Sequence, residues 1–396
     1  MKLNLIIIFF LFSSNVFAQT LDGDISKLQY LNRNSNDDDR AELQTLLNRL
    51  IAKSNMDSGG NVSGGGGNVS GGSNKRVIYN GNDVDKNFIK NYQISQLGLP
   101  KLHQSGFDGR KFRVAIVDSG INPRSAAANK VAYFKDFTSE CSEPMCDLSG
   151  HGTLVADLVT QAAPSASLVV LKILSQDIKG DFAKLFQALK WILKNHKKMN
   201  IKVVNLSLMT PDRVFGYYNE VDEARELIKE LASEGVLLVT AVGNDYKKKN
   251  FDLFPASAVQ VLSVGSYDHK FSENTYDREL SPFSNYGIAN QPTVQHSTFL
   301  WSSTTHKDFN RWSFKPEVLA PGENLLACSE VCEFVSGTSY SAGLVTGGIL
   351  SLLDKDPEMS LEKFIKLQKQ ECLLPILKFD SNGMFGRFEV CATVLE

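Results

Sequence analysis

Val114-Ala115-Ile116-Val117-Asp118-Ser119-Gly120 is a short apolar run, mostly β-branched, that stops on an aspartate and a glycine. Four apolar residues without polar alternation fit a strand covered on both faces, as in a parallel sheet. The same kind of run recurs at 168–173, 203–208, 236–239 and 259–264. Helical patterns stand between several of them, at 152–163, 181–197 and 220–234, and a further one follows Ser339 to about residue 353. This alternation predicts a three-layer α/β/α fold around a largely parallel central sheet.

In an open parallel sheet, reactive groups collect at the carboxyl ends of the strands. The residues that follow each run therefore carry the functional reading. Asp118 ends the first run. Asp147-Leu148-Ser149-Gly150-His151-Gly152-Thr153 leads into a helical pattern, and the glycines beside His151 let other backbone come close. Thr240-Ala241-Val242-Gly243-Asn244 follows the run at 236–239, and Val335-Ser336-Gly337-Thr338-Ser339-Tyr340-Ser341-Ala342 opens the last helix. Singly, each has an ordinary reading: a turn aspartate, a loop histidine, a turn asparagine, a helix-capping serine. Together, at the ends of successive elements of one sheet, they point to nucleophilic catalysis. The order Asp118…His151…Ser339, with Asn244 between the last two, is not the Ser…Asp…His order of α/β-hydrolases. The segment Gly337-Thr338-Ser339-Tyr340-Ser341 also has serine where the nucleophile turn of those enzymes has its second glycine. Of the six histidines, only His151 sits in a glycine-framed motif after an acidic residue.

From about Tyr92 to the C-terminus the sequence resembles the subtilisin-like serine peptidases (subtilases). Val114 to Gly120 resembles the aspartate motif of that family, and Gly150-His151-Gly152-Thr153 its histidine motif. Val203-Val204-Asn205-Leu206-Ser207-Leu208 resembles the strand that pairs with substrate, Ala241-Val242-Gly243-Asn244 the oxyanion segment, and Gly337-Thr338-Ser339 the nucleophile motif. Phe254-Pro255-Ala256-Ser257, Pro282-Phe283-Ser284-Asn285-Tyr286-Gly287, Glu317-Val318-Leu319-Ala320-Pro321-Gly322 and Phe385-Gly386-Arg387 agree as well. The resemblance implies that Ser339 is the nucleophile, His151 the general base and acid, and Asp118 the residue that orients the imidazole. It implies that the Asn244 amide and the Ser339 N–H hold the oxyanion, and that Ser207, Leu208, Met209, Ala241, Val242 and Gly243 bind substrate. The implied partner is a polypeptide held as an extended strand by a monomeric enzyme. No cofactor is required, and structural calcium is implied by the resemblance only, because no specific ligand spacing is present.

Several positions depart from the family pattern. Leu154 stands where the family usually has a second histidine, and Asp157 where it commonly has glycine. Tyr340-Ser341-Ala342-Gly343 replaces the usual Met-Ala-Thr-Pro, which removes a preorganising proline at a helix start. Met209 stands where the family generally has glycine, so the primary specificity pocket is expected to be narrowed or reshaped. The stretch between Ser266 and Arg311 looks longer than in a minimal family member and is expected to be a surface insertion.

Composition bounds the rest. The chain has 396 residues, a formal charge of −2, 22% charged and 10% aromatic residues, which excludes a wholly disordered chain. The near-neutral balance gives no basic excess for nucleic acid and no polybasic membrane patch. Lys2, the apolar run Leu5 to Phe12 and Val16-Phe17-Ala18 fit a signal peptide over 1–18, and hence a secreted or periplasmic protein with no stable membrane association. Residues 19–76 are expected to be a short pro-segment: one amphipathic helix near 41–51, then a linker in which Asn-Val-Ser-Gly-Gly occurs twice. A removable segment, a tether and a partner-binding helix all fit it. Residues 77–396 are expected to form the catalytic domain. In an oxidising compartment the even count of Cys141, Cys146, Cys328, Cys332, Cys372 and Cys391 suggests disulfides. Proximity favours 141–146, 328–332 and 372–391 among the 15 pairings that six cysteines allow. The expected function is a secreted serine endopeptidase acting through an acyl-enzyme. An acyl-transferring ligase or macrocyclase, or an inactive binding protein on the same fold, are the alternatives.

Overall fold

The expected alternation of strand and helix is present in the computed structural model, which describes residues 76–79, 82–178, 180, 182–211, 218–245, 253–270, 278–290, 312–365, 378–379, 383–384 and 386–387. The expected leader, the helix and linker of 19–75, Cys372, Cys391 and most of the stretch 266–311 lie outside the described residues. The chain divides into two compact units. Of the first, an antiparallel hairpin of β1 (Arg76–Tyr79) and β2 (Asn82–Asp85) is described.

The second unit, from Asn87 onward apart from residues 270–278, holds the sheet. It opens with helices α1 (Lys86–Ser95, whose first residue lies in the first unit) and α2 (Leu99–Gln104). β3 (Arg113–Asp118) and β4 (Val131–Asp136) follow, then α3 (His151–Ala162), β5 (Ser167–Lys172) and α4 (Phe182–Met199). Next come β6 (Ile201–Leu206), β7 (Thr210–Pro211), α5 (Tyr218–Ser233), β8 (Leu237–Ala241), β9 (Leu253–Phe254) and β10 (Val261–Asp268). The remaining strands are β11 (Glu279–Leu280), β12 (Gly287–Asn290), β13 (Trp312–Lys315), β14 (Val318–Pro321), β15 (Leu325–Cys328) and β16 (Cys332–Val335), followed by α6 (Thr338–Lys355). Short strands β17 (Lys378–Phe379), β18 (Gly383–Met384) and β19 (Gly386–Arg387) close the described chain.

The main sheet runs β19-β14-β10-β8-β6-β3-β5-β4, every neighbour parallel, with β11 antiparallel on β10. Period-two alternation along each strand divides its side chains between two cores. Val114, Ile116, Leu168, Val170, Val203 and Val239 turn to the face covered by α3 and α6. Ala115, Val117, Val169, Leu171, Val204 and Leu238 turn to the face covered by α4 and α5. This makes the three layers. The run read as strand at 203–208 leaves the sheet at Leu206, because Ser207, Leu208 and Met209 pass over its edge instead of pairing within it.

Helix α6 is buried along almost its whole length, which its run of small residues allows. A Cβ on Gly347 would lie 2.4 Å from the Val159 carbonyl oxygen and 2.7 Å from the Ala162 Cβ, so α3 and α6 touch backbone to side chain there. Disulfides join Cys141 to Cys146 and Cys328 to Cys332, as proximity suggested. Gly347→Val is expected to destabilise the fold by about 2 kcal/mol, the usual cost of overpacking, read as a lower urea midpoint at unchanged slope.

Candidate active site

Three adjacent strands, β8, β6 and β3, deliver their carboxyl ends to one edge of the sheet. Asp118 is the last residue of β3, Ser207 follows the end of β6, and Asn244 lies three residues past the end of β8. His151 opens α3, and Ser339 lies in the first turn of α6. His151, Ser207, Leu208, Met209, Asn244 and Ser339 all line one cleft of about 400 Å³. Ala241, Val242 and Gly243 lie behind it: Ala241 and Val242 are buried, and the Gly243 amide donates to Thr338 Oγ1 at 3.1 Å.

Asp118 is wholly buried, and its Oδ1 sits 2.7 Å from His151 Nδ1. The same oxygen accepts the Ser119 amide at 2.7 Å, while Oδ2 is buried with no protein donor among the described residues. Burial by itself pulls the His151 pKa down. The charge and hydrogen bond of Asp118, with Asp147 adding, outweigh this and hold it above the ordinary 6.5. The tautomer follows: with Nδ1–H donated to Asp118, Nε2 is the free lone pair.

Asp147 organises the turn that carries the histidine, a residue the sequence quoted without assigning it a role. Its Oδ1 accepts from the Ser119 hydroxyl (2.9 Å), the Ser149 hydroxyl (3.1 Å) and the Gly150 amide (2.9 Å). Its Oδ2 accepts the amide (2.8 Å) and hydroxyl (2.6 Å) of Thr153. Burial raises its pKa, but these donors overcome that and hold the carboxyl below 3.8. The Ser119 hydroxyl in turn accepts the Gly152 amide at 2.8 Å, which ties the first turn of α3 to the end of β3. Gly152 is required there: a Cβ would fall 2.6 Å from the Gly120 carbonyl oxygen and 3.1 Å from the Asp118 Cβ.

Asn244 is held with its amide the right way round for a donor role. Its Oδ1 accepts both the Thr338 amide (2.9 Å) and the Thr338 hydroxyl (3.0 Å), which leaves Nδ2 to face the cleft beside Ser339. Because a backbone N–H can only donate, this contact fixes which end is oxygen. The Ser339 hydroxyl itself donates to the Ser207 carbonyl at 3.4 Å. Behind it, the Ser207 hydroxyl bridges Asn205 Oδ1 (2.9 Å) and the Ser339 carbonyl (3.0 Å), and Asn205 Nδ2 donates to Thr346 at 2.9 Å. This buried network fastens the first and third turns of α6 to β6 and the residue that follows it.

Two departures also find partners. Tyr340 lies over His151 with ring centroids 5.7 Å apart, and its pKa is pushed up to about 12 by burial and then by the negative charge of Asp118, Glu333 and Asp147. Asp157 is buried on α3, where it accepts Gln161 Nε2 (2.7 Å) and the Cys328 amide (2.8 Å) and lies 3.6 Å from Lys90 Nζ. Burial dominates there and raises its pKa. Among the described residues no group of three or more His, Cys, Asp or Glu side chains is placed to hold a metal ion. No described helix is long and apolar enough to cross a membrane.

Residues 109–370 match the family model described as the Subtilase family. Subtilisin NAT of Bacillus subtilis subsp. natto is 29% identical over 222 residues, covering 52% of this chain and 55% of that protein. The major intracellular serine protease of Bacillus subtilis (strain 168) is 25% identical over 304 residues, covering 72% of this chain and 81% of its own length. With subtilisin E of the same strain also covered over 55% of its length, the chain spans a little over half of the first of these relatives. Among solved structures, "S41 Psychrophilic Protease" superposes with a TM-score of 0.57 at 22% identity, over 72% of this chain and 92% of that one.

Asp147→Ala leaves five donors without their acceptor and is expected to cost about 3 kcal/mol or more in urea unfolding. Because the folded pKa is depressed, the stabilisation by Asp147 is complete above the usual carboxylate range and lost as pH falls through the lowered value. The stability gap between wild type and Asp147→Asn should therefore be flat near neutrality and close in acid.

Proposed function

Because this chain belongs to the subtilase family, we propose that it is an exported serine endopeptidase whose machinery is Ser339, His151, Asp118 and Asn244. The observation that carries this reading is the 2.7 Å pair of buried Asp118 with His151 on a cleft shared with Ser339 and Asn244. A polypeptide lies extended along Ser207-Leu208-Met209 and Ala241-Val242-Gly243. Ser339 Oγ attacks the scissile carbonyl carbon while His151 Nε2 takes the hydroxyl proton. Asp118 keeps Nδ1 protonated and stabilises the imidazolium without taking the proton itself. The negative oxygen that develops is met by Asn244 Nδ2 and the Ser339 N–H, at the positive end of α6. Collapse breaks the C–N bond, and His151 gives its proton to the departing amine. Water, deprotonated by the same nitrogen, then attacks the acyl-enzyme and frees Ser339.

Export rests on the leader-like stretch 1–18 and is supported by the two disulfides, which suit an oxidising compartment. Residues 19–76 are a short pro-segment ahead of a catalytic domain over 77–396, and the peptidase acts as a monomer. Among its relatives, one is named a minor extracellular protease and another a major intracellular one, so location varies between them.

A fluorophosphonate should label the full-length protein at Ser339 and fail to label Ser339→Ala; absence of label on the wild type refutes the reading. Asn244→Ala should lower turnover by about 10²–10³, the cost of one such donor, for which a subtilisin is the type case. Since His151 must be neutral to act as base and its pKa is raised, the acid limb of kcat/KM should fall above 6.5. Asp118→Asn should lower kcat about 10⁴-fold and shift that limb towards acid.

A further inference from the structure

Met209 does more than edge the cleft. A methyl group built on Gly243 would lie 2.2 Å from Met209 Cε and 2.5 Å from Sδ, so the thioether end rests directly on the Gly243 backbone. It packs there with Val242, Leu253 and Ala256. The segment that carries it is tied down on both sides. Before it, Ser207 is bonded to Asn205 and to the Ser339 carbonyl. After it, Thr210 and Pro211 pair antiparallel with Phe254 and Leu253. Gly243 is held equally firmly, its amide on Thr338 Oγ1 and its carbonyl on the Asn285 amide at 3.0 Å. The neighbouring Leu208 lines the cleft while packing against the core on the α4 and α5 face.

The reaction geometry fixes what meets Met209. The scissile carbonyl carbon must reach Ser339 Oγ while its oxygen lies between Asn244 Nδ2 and the Ser339 N–H. The departing nitrogen must face His151 Nε2, so the α-carbon on the other side of the carbonyl turns away from His151, and its side chain then needs the gap beside Met209, which lines the same cleft. We propose that Met209 is a specificity-determining residue that plugs this gap, so that the enzyme cleaves after glycine or alanine and rejects long or aromatic side chains at that position. This rests on the reading of Ser339 as the nucleophile. The selectivity is steric: a larger side chain must displace a thioether packed on backbone, and pocket contacts of this size discriminate about 10–200-fold.

The test uses the full-length protein and peptide anilides that differ only in the residue before the scissile bond. Wild type should turn over the glycine and alanine substrates with kcat/KM at least about tenfold above the leucine and phenylalanine ones. Met209→Gly and Met209→Ala should each raise the phenylalanine-to-alanine ratio by about 10- to 100-fold, the second variant guarding against a folding defect in the first. A wild type that prefers phenylalanine or leucine, or a ratio unmoved in both variants, overturns the proposal. Fluorophosphonate labelling runs alongside: labelled protein with the wrong preference refutes the plug alone, whereas unlabelled wild type refutes the nucleophile and the plug with it.

Discussion

A carboxylate with no access to water, bonded through one oxygen to an imidazole, is the constraint on which the rest of this structure turns. Burying an ionised aspartate is costly unless it is paired and hydrogen-bonded. Asp118 has few partners, the Ser119 amide and His151 Nδ1, so His151 must be delivered to it accurately. Delivery falls to Asp147, which collects donors from Ser119, Gly150 and Thr153 and so clamps the start of α3 against the end of β3. Gly120 and Gly152 let the two backbones meet at that clamp: a Cβ on Gly120 would sit 2.0 Å from the Cys146 carbonyl oxygen.

The Ser339 side is built by the same means on the same face of the sheet. α6 enters the interior on small residues; its first turn is held by Ser207 and, through Thr338, by Asn244 in the segment after β8, and its third turn is held by Asn205 of β6 through Thr346. Two supports therefore converge, one carrying His151 and one carrying Ser339. Both hang on neighbouring strands of one sheet, whose rigidity comes from two cores of aliphatic side chains. The Lys172 ammonium, wholly buried at the end of β5, adds to the first support by donating to the Ser119 and Leu174 carbonyls and pairing with Glu140 at 3.0 Å.

Much of this was legible as pattern. The apolar run at 114–117 announced a two-sided strand because a parallel strand has no wet face to alternate with. Glycines around His151 and before Ser339 marked close approaches. What stayed hidden was which polar residues answered one another. Asp147 sits 29 residues from Asp118 in the chain, and nothing local distinguishes a hub with five donors from a loop aspartate. The strand read at 203–208 ran two residues too far, because Ser207 and Leu208 look like continuing strand while their partners lie on α6 and α4.

The sequence by itself determined the fold class and set Asp118, His151, Asn244 and Ser339 in order at the ends of its elements, because periodicity and residue type at element ends are local properties; the departure at Met209 shows only against the family that the sequence resembles. Only the tertiary structure decided that the Asn244 amide faces the cleft by its nitrogen, that Asp118 Oδ2 has no donor among the described residues, and that the Met209 thioether lies on Gly243. Those depend on distances between residues tens of positions apart, set by how the two cores pack the helices onto the sheet.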